Sequence, residues 1–370
     1  MDEMTGWWSV DEFGPDKVLF ARLPQDCRAV VVVDNVALGP AIGGVRMTTS
    51  VDVTEVARLA RAMTIKNAAA GLPYGGGKAG ITVPGELADD SREPVLRAFA
   101  VAIRELTSYI PGPDMGTDET AMGWIHDEIA RAVGLPSTLG GIPLDELGAT
   151  GHGLAVCAET LSEAGVLDLA GARVAVQGFG AVGSHAALRL AELGATVVAV
   201  SDSRGATHDP QGLDVGSLAE FKRTGTSSVA EFPGGSSLPR DDVLTQDCDV
   251  LIPAAQPDVI TKENADLVRA KVILQGANIP ATAEAEEMLH RRGVLSVPDV
   301  IANAGGVICA AVEHRGGGPE SAFATIRSKI RAGTLELLDR IRSGDLEPRE
   351  AAERMALERV AAAQSYRRRF

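Results

Sequence analysis

Aromatic side chains make up only 4% of the 370 residues. Alanine, glycine and valine are abundant instead, and such small residues suit tightly packed α/β layers. Cysteine is scarce as well. Cys27, Cys157, Cys248 and Cys309 are scattered, with no CxxC pair and no histidine at ligand spacing. That excludes a disulfide framework, predicts no metal site, and leaves buried free thiols as the expectation. Positive charge is in short supply: 35 Lys and Arg face 50 Asp and Glu, for a net charge of -15. Nucleic acids and anionic membranes need clustered Lys and Arg, so neither is expected as a partner. No apolar run reaches membrane-spanning length. The opening "MDEMTGWWSV" has no basic region and no apolar core, so no signal peptide is expected. A reducing cytoplasm fits these absences.

A chain of 370 residues exceeds one ordinary core and predicts two domains. "AVVVVDNVAL", Ala29 to Leu38, is rich in β-branched residues and reads as a strand. "LGPAIGGVRM" follows and reads as a glycine-rich turn. A helix is predicted from about Thr54 to Ala70, with Thr54 as cap and Gly71 and Pro73 as stop. Leu59, Met63 and Lys66 share one face of it by spacing. Lys66 thus ends an apolar stripe, or simply complements the helix C-terminal dipole. A second helix is predicted over Arg92 to Thr107, before the loop "IPGPDMGTDE". The text changes character near Asp145 to Gly151. From there to about Gly293, strands and helices alternate, which implies a parallel sheet wrapped by helices. "CDVLIPAA", "AKVILQGAN" and "GVLSVPD" read as its later strands. The end of the chain reads as two amphipathic helices.

"VAVQGFGAVGSHAALRLAEL" carries the most specific local signal. A strand runs into Gly178, Gly180 and Gly183, and a helix opens at once. The glycines serve the tight turn, the close approach of a pyrophosphate, and helix–strand packing. Ala181 and Val182 complete the loop. Asp202 closes the next strand, where an acid accepts from ribose hydroxyls. It disfavours a 2′-phosphate, whereas Ser203 and Arg204 beside it could receive one. NAD is expected, with NADP as a second acceptor.

"GLPYGGGKAGI" sets Lys78 among five glycines and apolar flanks. Lys66, Lys78 and Asp114 are the candidate catalytic and substrate-holding groups of the first domain. Two lysines near one pocket oppose each other's charging, and burial adds to that. A neutral lysine is a base, and a charged one clamps a carboxylate. The pair suits an amino acid, which presents a carboxylate and an amine on the carbon that loses hydride. The plainer reading of Asp114 is a turn residue.

"MTIKNAAAGLPYGGGKAGI", "PGPDMGTDE", "ATGHG", "GFGAVG" and "VPDVIANAGGV" occur in this order. Together they resemble the amino-acid dehydrogenases that include the glutamate, leucine, phenylalanine and valine enzymes. The resemblance runs from about Ala29 to the final helices. It implies an α/β fold, with an N-terminal catalytic domain facing a Rossmann-like dinucleotide domain across a cleft. The domains expected are 1–148, completed by 305–370, and 149–304. The resemblance also implies roles. Lys66 binds the α-carboxylate, Lys78 is the general base, and Asp114 relays protons to and from the amino group. Gly44 lines the substrate site. Thr150 and Asn278 lie against the nicotinamide end of the cofactor, and Asn303 borders substrate and cofactor. A homo-oligomer is implied too.

Two positions depart from the glutamate type. Ile42 stands where a lysine precedes the paired glycines, and Ala310 stands where a serine follows "GGV". Both polar anchors for a side-chain carboxylate are thus apolar. Burying an unpaired carboxylate there is unfavourable, so an apolar L-amino acid is the expected substrate. The alternatives are a glutamate dehydrogenase anchored elsewhere, through Arg46 or another basic residue, and a non-catalytic regulatory homologue.

Overall fold

The computed structural model describes residues 11–367 except 86, 226 and 345. The opening stretch on which the signal-peptide expectation rests lies outside them. The chain divides into two compact units. One holds the chain up to Pro143 with 307–322 and 353 onward; the other holds 144–306 and 323–352. The C-terminal stretch 305–370 was expected to complete the first domain as a whole, but 323–352 belongs with the second unit.

In the first unit the elements are β1 (Lys17–Arg22), β2 (Arg28–Asn35), β3 (Ala41–Thr48), α1 (Val53–Ala69), β4 (Gly75–Thr82), α2 (Asp89–Ala102), β5 (Tyr109–Pro113) and α3 (Glu119–Ile129). The five strands lie in the order β1-β2-β4-β3-β5. β3 runs parallel to both β4 and β5, while β2 pairs antiparallel with β1 and β4. One face of the sheet packs Val45, Met47, Ala79 and Ile81 against Leu96, Phe99, Met122 and Ile125. The other packs Val30 and Val32 with Val56 and Ala60 of α1.

"LGPAIGGVRM" was read as a turn, but most of it is strand β3. Its glycines answer to packing. A Cβ at Gly43 would lie 1.6 Å from the Gly77 carbonyl oxygen. Gly76 and Gly80 do the same for the helix, since a Cβ there would lie 2.0 Å from Thr64 N and 2.7 Å from Val56 Cγ2. Helix α1 starts one residue before Thr54, and its cap is Asp52, whose carboxylate accepts from Glu55 N at 2.8 Å. Its buried row is Val56, Ala60, Thr64 and Asn67. Leu59, Met63 and Lys66, expected to form the inner stripe, are only half-buried. The small residues Ala60 and Thr64 point inward because the glycine-rich sheet leaves no room for larger ones. Helix α2 ends at Ala102, short of the expected Thr107.

In the second unit come α4 (Ala149–Glu163), β6 (Arg173–Gln177), α5 (Ala181–Glu192), β7 (Thr196–Ser201), β8 (Ala206–His208), α6 (Val215–Arg223), β9 (Ser236–Leu238), β10 (Val250–Pro253), β11 (Val272–Leu274), α7 (Ala283–Arg291), β12 (Leu295–Val297) and α8 (Asp299–Ala302). Then follow α9 (Gly305–Glu313), α10 (Pro319–Gly344) and α11 (Pro348–Gln364), in which the chain passes between the units. The sheet order is β12-β11-β10-β6-β7-β8-β9. β12 to β7 are parallel, and β8 and β9 close the edge antiparallel. The strand order reverses between β6 and β10, and in such sheets ligands bind at the carboxyl ends beside that reversal. Among the described residues, no helix is long and apolar enough to cross a membrane. All four cysteines are free and buried.

Candidate active site

The pleat of two neighbouring strands builds the candidate catalytic face of the first unit. Alternate residues Ile42, Gly44 and Arg46 of β3 point to the side away from Val45 and Met47. Ile42 pairs in register with Gly76, so Lys78 of β4 lies on that same side. Asp114 follows the last residue of β5. Its loop is pinned: Asp114 N donates to Thr117 Oγ1 at 3.0 Å, and Thr117 Oγ1 donates to Val45 O at 2.8 Å. Gly116 closes it at φ +78°, where a Cβ would lie 2.0 Å from Met47 O. This accounts for the spacing of "PDMGTD".

Lys78 Nζ lies 2.6 Å from Asp114 Oδ2. Arg46 Nε donates to the same oxygen at 3.2 Å. Arg46 also pairs through Nη1 with Glu55 in the first turn of α1. The side chains thus form a row of alternating charge: Glu55, Arg46, Asp114, Lys78. Lys78 is 7% exposed. Burial pushes its ammonium below the usual lysine range, and Arg46 adds to that, against the opposing pull of Asp114. Burial alone would raise the Asp114 carboxyl, but Lys78, Arg46 and the Met115 amide outweigh it and hold it below the usual range. Gly44 is required by the same cluster. A Cβ there would lie 2.7 Å from Asp114 Cβ, 2.8 Å from Pro113 O and 3.2 Å from Lys78 Nζ.

Lys66 is half-buried in the last turn of α1. Ile42 is 4% exposed, and Ala310 is half-buried on α9. Sequence reasoning considered Arg46 only as a substitute anchor and missed Glu55 and Thr117. The i, i+2 spacing from Gly44 to Arg46 within a strand was the available signal. It was hidden by reading that strand as a turn.

In the second unit, Gly178, Gly180, Ala181, Val182 and Gly183 form the turn from β6 into α5. Gly178 has φ +94°, and a Cβ there would press within 2.8 Å of Ala255, just past β10. A Cβ at Gly183 would lie 1.9 Å from Gly178 O, so this glycine serves the turn itself. At Gly180 a Cβ would meet nothing within 4 Å. The space there is open to a ligand. Helix α5 has no side-chain cap, so its first-turn N–H groups face that opening. Thr150 stands in the first turn of α4, and a Cβ at Gly306 would lie 3.4 Å from its Oγ1. Asn303 is 6% exposed and donates from Nδ2 to Gly276 O and Asn278 Oδ1, both at 3.2 Å. Its Oδ1 is buried without a hydrogen-bond partner. An orphaned acceptor beside Asn278 fits a ligand with an N–H donor, such as a nicotinamide carboxamide.

Asp202 differs from expectation. Its Oδ1 accepts from Arg204 N at 2.9 Å, Gly205 N at 3.2 Å and Ser228 Oγ at 2.8 Å. Its Oδ2 accepts from Lys222 Nζ at 2.8 Å and Val229 N at 2.9 Å. A carboxylate offers about four lone-pair sites, so five protein donors leave no free acceptor for a ribose. Asp202 holds its loop to α6 and to Ser228, and these donors keep its carboxyl well below the usual range despite burial. Ser203 and Arg204 remain on the exposed side. His152, given no role, stacks edge-to-face on Phe323 at 4.8 Å.

Residues 140–368 match the model of the glutamate/leucine/phenylalanine/valine dehydrogenases, and residues 15–131 match the dimerisation domain of the same proteins. The chain belongs to this family. It is an amino-acid dehydrogenase, an oxidoreductase whose cofactor is NAD or NADP. A glutamate dehydrogenase of Aeropyrum pernix is 40% identical over 356 residues, covering 90% of this chain and 85% of that protein. One from Thermotoga maritima is 43% identical over 75% of this chain and 69% of its own length. An NADP-specific glutamate dehydrogenase of Saccharolobus shibatae is 41% identical over the same shares. Among solved structures, a hetero-hexameric glutamate dehydrogenase from Thermus thermophilus, in a leucine-bound form, superposes with a TM-score of 0.83. It is 31% identical, and the match covers 96% of this chain and 91% of that one. The two-unit α/β architecture with a Rossmann-like half is that of these dehydrogenases.

Proposed function

We propose that this dehydrogenase catalyses the reversible oxidative deamination of L-glutamate to its 2-oxo acid and ammonia. The observation that carries this reading is the 40–43% identity to proteins named glutamate dehydrogenase, in a chain that keeps Lys66, Lys78 and Asp114. Bound NAD or NADP supplies the oxidising power, taking the hydride from the amino acid's α-carbon. The chain's own residues do the rest. Lys66 holds the α-carboxylate. Lys78, which burial disposes to lose its proton, accepts one from the water that attacks the imine carbon. Asp114 passes protons to and from the amino group. Arg46 keeps Asp114 ionised while Lys78 changes charge. Thr150, Asn278 and Asn303 receive the nicotinamide end of the cofactor. The dimerisation-domain match and the hetero-hexameric neighbour support an oligomer.

A second reading, an apolar L-amino acid as substrate, draws on Ile42. It is buried on the strand face that carries Gly44 and Arg46, where an ammonium is expected for glutamate. Arg46 is already engaged by Glu55 and Asp114 and makes a poor substitute anchor. Cofactor reduction measured with each of the twenty amino acids decides between the readings. Fastest turnover of glutamate is the expected result. Faster turnover of leucine, valine or phenylalanine overturns it, and Ile42→Lys with Ala310→Ser should then gain glutamate activity. No turnover of any amino acid would leave the regulatory homologue, against which the three retained residues speak.

A further inference from the structure

Asn278 and Asn303 sit on two loops that something must hold still. Asn278 is followed by Ile279, whose φ is +45° and which is 51% exposed. A β-branched residue in the left-handed region is strained, and such strain persists only where the surroundings over-determine it. Here Ile279 N donates to Asp299 Oδ2 at 3.3 Å, and Ile279 O accepts from Asp258 N at 3.0 Å. Asp299 also opens the segment that carries Asn303, since Asn303 N donates to Asp299 O at 3.0 Å. One buried residue, Asp299, therefore ties both loops together, the Ile279 turn through its carboxylate and the Asn303 segment through its backbone carbonyl.

Asp299 is in turn held from a distant part of the sequence. Arg349, in the first turn of α11, donates from Nη1 to Asp299 Oδ1 at 3.1 Å. Its Nε and Nη2 fork onto Glu286 Oε2 and Oε1 at 2.6 and 2.9 Å, and Nη2 reaches Gln275 Oε1 at 2.8 Å. Gln275 is fully buried and closes the ring, donating to Glu286 Oε1 at 2.6 Å and accepting from Asp299 N at 3.1 Å. All of these residues belong to the second unit.

We propose that Arg349 is a positioning residue for the nicotinamide end of the cofactor, acting through Asp299 to hold the strained turn at Ile279 and with it the Asn278–Asn303 pair. The proposal rests on the reading that these two asparagines meet the cofactor. The guanidinium suits the task because its planar fork engages two carboxylates and an amide at once, which an ammonium cannot do.

The test uses the full-length enzyme and three variants: Arg349→Lys, Arg349→Met, and Arg349→Met combined with Ile279→Gly. Dissociation constants for NADH and NADPH are read by fluorescence, kcat by cofactor reduction, and folding by thermal melting. In Arg349→Met the dissociation constant should rise about tenfold, as for one lost hydrogen bond. Its kcat should fall about 10²-fold, as for a misplacement near 1 Å. Arg349→Lys should fall between. Ile279→Gly removes the strain that the brace opposes, so the combined variant should recover most of kcat without recovering the melting temperature. A network that only stabilises the fold would show the reverse: a lower melting temperature, unchanged kcat and affinity in the folded enzyme, and no rescue by glycine. That result overturns the proposal. If Arg349→Met does not fold, Arg349→Lys with and without Ile279→Gly carries the same readouts. A wild type that binds neither NADH nor NADPH refutes the cofactor reading itself, and is distinguished from failure of the brace by the first measurement.

Discussion

Replacing Gly44 with alanine adds one methyl group where the active site has no room for it. The new Cβ would lie 2.7 Å from Asp114 Cβ, 2.8 Å from Pro113 O and 3.2 Å from Lys78 Nζ. Non-bonded carbon atoms settle at about 3.5–4.0 Å, so the Asp114 side chain must retreat by close to 1 Å. The loop behind it cannot yield easily, because Thr117 and Gly116 pin it to β3. The Lys78–Asp114 contact of 2.6 Å therefore opens. Overpacking of this kind costs about 1–3 kcal/mol of stability, and a 1 Å error in catalytic geometry costs about 10²-fold in rate. Steady-state kinetics with glutamate at saturating cofactor should show kcat down by about that factor. Fluorescence titration should show NADH affinity unchanged, since the glycine turn of the second unit is untouched. A variant that keeps kcat within about threefold of wild type would refute the idea that Asp114 and Lys78 must touch.

Lys78→Ala should lower kcat by about 10²–10⁴-fold or more through loss of the general base, with cofactor affinity intact; equal kcat would remove Lys78 from the mechanism. Arg46→Gln should move the rising limb of the kcat/KM–pH profile to higher pH. The charge of Arg46 disfavours the protonated form of Lys78, so without it Lys78 keeps its proton to higher pH and the basic form appears later. An unmoved limb, or one displaced to lower pH, would contradict the charge row Glu55–Arg46–Asp114–Lys78. Asp202→Ser should destabilise the fold by about 1–3 kcal/mol, because the buried Ser228 hydroxyl and Val229 N–H lose their acceptor. It should also raise the NADP to NAD ratio of kcat/KM, by removing a negative charge next to Ser203 and Arg204; a melting temperature equal to wild type would show that the five-donor cage is not needed.

The dinucleotide turn was legible because its signal is local. Gly183 answers to Gly178 O within six residues of chain, and the strand before and helix after are equally local, although Gly178 also makes room for the distant Ala255. Asp202 was misread for the opposite reason. Its partners Lys222, Ser228 and Val229 come from later in the sequence, and no spacing rule shows that they fill its lone pairs. In the first unit β2 and α1 were legible, but β3 was not. "GPAIGGVR" has the composition of a turn, and only the neighbouring backbone reveals that Gly43 is small because Gly77 passes 1.6 Å from where its Cβ would be. The same error hid Arg46, since strand alternation cannot be applied to a segment read as a loop. The inner stripe of α1 failed for a related reason: a glycine-rich sheet selects alanine and threonine for the helix face against it, so the larger residues Leu59 and Met63 point elsewhere.

These misreadings converge on one physical point. A base that must lose its proton needs burial, yet the carboxylate that works with it must stay charged in the same small volume. With Lys78 and Asp114 alone, the pair would share one proton, and discharging the lysine would leave an isolated buried carboxylate whose own pKa rises. Arg46 removes that conflict. It lies 3.2 Å from Asp114 Oδ2, and it keeps its charge across the working pH range. Glu55 balances Arg46 at the edge of the site, where its side chain is 39% exposed and partly hydrated. In the proposed mechanism Lys78 then changes charge without forcing Asp114 to follow. Glycine at position 44 lets the two side chains approach to 2.6 Å, and glycines at 76 and 80 let α1 bring Glu55 close enough to complete the row.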